Sequence, residues 1–94
     1  MATATTLAEA LLDRSESVST RDDAAMDLGN FDDAIGIEAL IEIAADEGAP
    51  EILRASAGAS LGEIWLRNDA FSQPIFDTLT RLAQKELTAA MGLK

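Results

Sequence analysis

The sequence contains no cysteine, no histidine and no tyrosine, and only two prolines. Without cysteine there is no disulfide framework and no redox chemistry at sulfur. Without histidine or cysteine, a zinc, iron or copper site would have to be built from carboxylates alone. The same gaps remove the usual general base near neutral pH and the common nucleophilic triads. No run approaches the 18 or so apolar residues of a membrane span. The first residues, Met1 to Thr6, carry neither the positive charge nor the apolar stretch of a signal peptide, so a cytoplasmic chain is expected. Positive charge is also scarce. Between Arg21 and Arg54 there is no basic residue, yet ten acids occur there: Asp22, Asp23, Asp27, Asp32, Asp33, Glu38, Glu42, Asp46, Glu47 and Glu51. The net charge is −10. Such a surface repels phosphate backbones, which argues against nucleic acid, and it steers basic proteins inward. Acids also serve solubility in a small Ala/Leu-rich chain, so no single carboxylate identifies a site.

What is present favours helix. Eighteen alanines and twelve leucines stand against one valine, and alanine and leucine are the strongest helix formers. Ninety-four residues make one domain, expected to span 1–94. A chain of this size buries only about 60–65% of its unfolded surface, so modest stability is expected.

A repeat emerges at an offset of 33 residues. Arg21-Asp-Asp-Ala24-Ala-Met-Asp-Leu28-Gly29 aligns with Arg54-Ala-Ser-Ala57-Gly-Ala-Ser-Leu61-Gly62, sharing Arg-x-x-Ala-x-x-x-Leu-Gly. At 100° per residue, Arg21, Ala24, Leu28 and Phe31 fall within about 80°, and Leu53, Arg54, Ala57, Leu61 and Ile64 within about 100°. Each set reads as an inward face, with the arginine stem at its edge and the alanine permitting close helix approach. Around these segments about five helices are expected. The first runs from about Thr5 to Arg14 and the second from about Arg21 to Gly29, capped by Ser19 or Thr20. The third, from about Asp33 to Ala45, is apolar nearly all round and is expected to be buried on most sides. The fourth begins at Pro50 and ends near Asn68, with Gly62 inside it. The fifth starts after Ser72, with Pro74 in its first turn, and its packing is expected to fade near Lys85, because Glu86 interrupts the stripe.

The run Arg54 to Ile64 resembles the second helix of a HEAT repeat, of the short type seen in phycobilisome-lyase-like repeats. Gly36-Ile-Glu-Ala-Leu40-Ile41-Glu-Ile43 resembles the first helix, and Asp46-Glu-Gly-Ala-Pro50 the link between them. The likeness covers about 21–67. It departs from the family pattern in matching the inter-repeat Asp and Arg only loosely, at Asp46 and Arg54. The Trp-x-x-Leu-Gly-x-x-Tyr order of tetratricopeptide repeats is not met, since Trp65 follows Leu61-Gly62. The resemblance implies an all-α fold: a short right-handed α-solenoid of antiparallel helices, with the first and fifth as caps and the second helices along the inner face.

Stacked in that way, the non-core sides of the second and fourth helices would lie side by side. Asp23, Asp27 and Asn30 fall within about 60° of one another. Their counterparts are Ser56, Ser60 and Glu63, with Arg67 one turn on. This strip is the expected binding face for a protein partner, basic by charge complementarity. Trp65 reads first as core packing and second as an interface anchor. Asp22-Asp23 and Asp32-Asp33 are not read as a metal or glycosidase pair, because adjacent helix positions diverge by 100° and no calcium-loop spacing follows. Fold alone assigns no activity. The expectation is therefore a non-catalytic interaction module without metal or cofactor, a monomer or weak homodimer, in its sharpest form an immunity protein or inhibitor. The alternatives are an accessory subunit of an enzyme or lyase, and a self-assembling structural unit.

Overall fold

Helix α1 (Ala4–Leu12) begins where a threonine closes its first turn: Thr3 Oγ1 accepts the Thr6 amide while the Thr6 hydroxyl accepts the Thr3 amide. The chain is described over residues 2–93 in a computed structural model; positions 1 and 94 of the expected domain lie outside the described residues. Helix α2 (Val18–Leu28) starts three residues earlier than expected. Its cap is Ser17, whose hydroxyl accepts the Thr20 amide; Ser19 and Thr20 are already inside the helix. The earlier start places Arg21 in a formed turn. Helix α3 (Ala34–Ala44) follows Asp33, and α4 (Glu51–Asn68) follows Pro50, both close to expectation. Helix α4 ends at Asp69, held in the left-handed conformation with φ 51°, and the Ala70 amide returns to the Trp65 carbonyl at 2.9 Å.

The expected fifth helix is two helices, α5 (Gln73–Thr78) and α6 (Arg81–Ala90). Ser72 does cap the first, accepting the Ile75 amide. The break falls at Leu79 and Thr80, both in extended conformation and both buried. Thr80 donates its amide to the Ala44 carbonyl at 2.9 Å, and its side chain caps α6 by accepting the Ala83 amide. A hydroxyl that bonds locally competes with helix continuation, and here a tertiary bond to the end of α3 secures the interruption. The expected fading near Lys85 does not occur. Because α6 has its own register, Glu86 moves to a half-buried edge and Leu87 is fully buried.

The chain is all-helical, with no strand among the described residues. None of these helices is long and apolar enough to cross a membrane. Helix α1 packs against α2 and α3, α3 against α4, and α4 against both α2 and α6. The repeat positions carry the core: Ala24, Leu28, Ala57 and Leu61 are all buried. Leu11, Leu40, Leu53, Ile64 and Leu87 complete the set of large, fully enclosed side chains. The two repeat arginines do the same job. Arg21 Nε donates to the Leu11 carbonyl and Arg54 Nε to the Ala49 carbonyl, each at 2.9 Å. Each arginine thus ties its helix to the chain just before it; Arg21, at the α1 end, satisfies a carbonyl the helix leaves open.

Helix α3 departs from expectation. Gly36, Ala39, Leu40, Ile43 and Ala44 form its one buried stripe, while Ile35 is exposed and Ile37 and Ile41 are half-buried. Only α1 and α4 cover it substantially, so its remaining sides meet solvent.

Besides Ala24 and Ala57, which are buried, two glycines permit close helix approach. A Cβ on Gly58 would collide with the backbone of Ala83, and one on Gly62 would lie 2.6 Å from the Leu87 carbonyl oxygen. Two bare positions four residues apart let the α6 backbone settle onto α4. Ala83 and Leu87 also repeat the Ala-x-x-x-Leu spacing of Ala57 and Leu61, 26 residues on rather than 33.

Candidate functional site

Helices α2 and α4 are joined by a polar seam. Ser56 Oγ donates to Asp22, Ser60 Oγ donates to the Ala25 carbonyl at 2.7 Å, and Arg67 Nη1 donates to the Gly29 carbonyl at 3.0 Å. The partners advance together along both helices, so the two run parallel. Arg67 also reaches Asp32, with Nη2 at 2.6 Å, and Asn68 adds a bond to the same carboxylate oxygen at 2.8 Å. These donors, Arg67 foremost and then Asn68, hold the Asp32 carboxyl below its ordinary range. Gly29 caps the C-terminal end of α2 in the right-handed conformation. Its bareness answers a different need: a Cβ there would lie 2.7 Å from Glu63 Oε2 and 3.0 Å from Ser60 Oγ.

The seam divides the expected strip in two. Ser60 is buried, Ser56 is half-buried, and the Arg67 guanidinium is engaged with Asp32 and Gly29. Asp23, Asp27, Asn30 and Glu63 stand in solvent. The ion pairs among the described residues are Arg14–Asp46, Arg54–Glu47 and Arg67–Asp32, so the carboxylates of Asp23, Asp27 and Glu63 have no cationic partner there.

Beside these acids lie apolar side chains that the strip did not include. Met26, Ile52 and Leu66 are 50%, 51% and 56% exposed. At 100° per residue, Ile52, Ala55, Ala59, Glu63 and Leu66 share a sector about 80° wide on α4, opposite Ala57 and Leu61. From Ile52 to Leu66 this ridge runs about 21 Å, at 1.5 Å per residue. Met26 sits level with it, since its neighbour Ala25 accepts the bond from Ser60. The signal was in the sequence: Ile52 and Leu66 are large apolar residues on the wrong side of the core stripe.

The face therefore offers an apolar ridge edged by unpaired carboxylates. Among the described residues no group of carboxylates is placed to hold a metal ion. Trp65 lies in the core, 4% exposed, and meets Phe71 edge-on at 5.4 Å between ring centroids. Phe71 in turn leans on Phe76 at 5.6 Å, which fastens the α4–α5 connection. No protein-family model, curated protein or solved structure matches the chain.

Proposed function

We propose that the chain is a short HEAT-like repeat module, a right-handed α-solenoid, which binds a basic protein partner through the solvent-facing side of α2 and α4, the inner face of the solenoid, and catalyses nothing itself. The repeat reading draws support from the parallel run of α2 and α4 and from the matching roles of Arg21 and Arg54. The binding reading rests on one observation: Met26, Ile52 and Leu66 stand at least half exposed beside the unpaired carboxylates of Asp23, Asp27 and Glu63. A rim of one charge sign around an apolar strip matches a partner of the opposite sign, with the apolar contacts supplying affinity and the charges supplying encounter rate. In its sharpest form the partner is a basic toxin or nuclease that this chain masks, as an immunity protein would.

The test compares the native chain with two variants, Leu66→Asp and Asp23→Lys/Asp27→Lys, as bait in extracts of the native cells. One stoichiometric basic protein is expected with the native chain, and its recovery should fall at least tenfold with each variant. Equal recovery by all three baits, or background proteins alone, would reject the face.

A further inference from the structure

The surface between α1 and α3 lies apart from the α2–α4 face. A cavity of about 240 Å³ opens there, lined by Ala8, Glu9 and Leu12 of α1 and by Ile35, Glu38, Ala39 and Glu42 of α3. Ala8 and Ala39 are buried and form the floor. Leu12 and Ile35 are exposed and form apolar walls. Glu9, Glu38 and Glu42 stand at the rim, and none of the three is in an ion pair among the described residues. On α3 the lining falls at i, i+3, i+4 and i+7, a single helix face about two turns long, which sets Glu38 and Glu42 one above the other.

We propose that this groove receives an arginine side chain from a partner protein. A volume of about 240 Å³ along two turns of α3 admits one long side chain and not a helix. An entirely apolar occupant would cover the floor but strip water from three carboxylates without replacing it. An anionic occupant meets three like charges. An arginine satisfies both parts: its methylenes lie on Leu12 and Ile35 while its planar fork spans Glu38 and Glu42. Glu38 and Glu42 stand one turn apart on one helix face, which suits the several donors of a guanidinium better than the point charge of lysine.

The probe is an acetylated, amidated pentapeptide, Ala-Ala-Arg-Ala-Ala, titrated into the isotopically labelled protein and followed by amide chemical shifts. Three companion peptides replace the arginine with citrulline, norleucine or lysine. The arginine peptide is expected to shift the amides of Ala8, Leu12, Ile35 and Ala39 saturably. Citrulline keeps the shape without the charge, and norleucine keeps only an apolar stem; both should bind more weakly. Glu38→Gln and Glu42→Gln should each weaken the arginine peptide roughly 2- to 5-fold, the range of an exposed ion pair. Both positions are solvent-facing, so the variants should retain the native helical spectrum. Norleucine binding as well as arginine, indifference to both glutamine variants, or shifts spread evenly over every acidic helix would overturn the site. Lysine binding equally well would overturn the choice of arginine.

Discussion

Replacing Gly58 with alanine adds one methyl group where α4 meets the backbone of α6. In an ordinary helix interior that change stabilises by about 0.5–1 kcal/mol, because glycine loses more conformational freedom on folding. Here the added Cβ would fall on the carbonyl oxygen, Cα and carbonyl carbon of Ala83, too close for any of them to stay in place. Backbone cannot rotate away as a side-chain tip can, so α6 must retreat or tilt. Overpacking of this kind costs about 1–3 kcal/mol, and retreat also loosens Leu87, which is fully buried. Subtracting the helix gain leaves a loss of up to about 2.5 kcal/mol, and the loosening of Leu87 adds to it, so the net effect expected is destabilising. For a chain of this size each kcal/mol lost lowers Tm by about 4–8 °C. Gly36→Ala supplies the contrast. Its Cβ would meet the end of the Leu28 side chain at 2.8 Å, a group with rotatable bonds, so the change should stay within about 1 kcal/mol of native stability. Thermal and urea unfolding followed by far-ultraviolet circular dichroism measures both. A Gly58→Ala protein as stable as the native one, or more stable, would show that α6 does not rest on Gly58.

Other outcomes are equally specific. Thr80→Ala should cost about 1 kcal/mol in urea unfolding, because α6 loses its cap. Arg21→Met keeps most of the buried stem but loses the bond to Leu11, and should cost about 1–2 kcal/mol in the same assay. The Asp32 carboxyl is depressed in the folded chain, so its contribution is present above the ordinary aspartate value of 3.8 and is lost as pH falls through the lower folded value. Asp32→Asn should therefore remove part of the stability loss seen when the native chain is titrated from about pH 4 downward; an unchanged acid limb would contradict that ion pair.

Much of the helical layout was legible because periodicity reports on one helix at a time. The stripes through Ala24 and Leu28, and through Ala57 and Leu61, are buried, and Gly62 stays inside α4. What periodicity does not report is which sector a neighbouring helix covers. Ser60 projected beside the exposed acids, yet it faces the Ala25 carbonyl, because α2 occupies that side. Helix α3 was apolar enough to be enclosed, but too few neighbours surround it. The break at Leu79-Thr80 had one local cue, a threonine three residues before Ala83, and it outweighs the continuous apolar spacing of 75–83 only with the Ala44 bond in place. The role of Gly58 was invisible for the same reason, since it depends on the Ala83 backbone 25 positions on. At the candidate face the charges are legible in the sequence, whereas Met26, Ile52 and Leu66 lie opposite the core stripe, where apolar periodicity assigns no role.

The proposed contact between the α2–α4 face and a basic protein is tested most directly by photo-crosslinking in the native cells. A benzoylphenylalanine placed at Met26 or Leu66 should form an adduct with a single basic protein, whereas the same group at the solvent-facing Asp77 on α5 should not. Adducts of equal yield from all three positions, or from none, would contradict the assignment of that face.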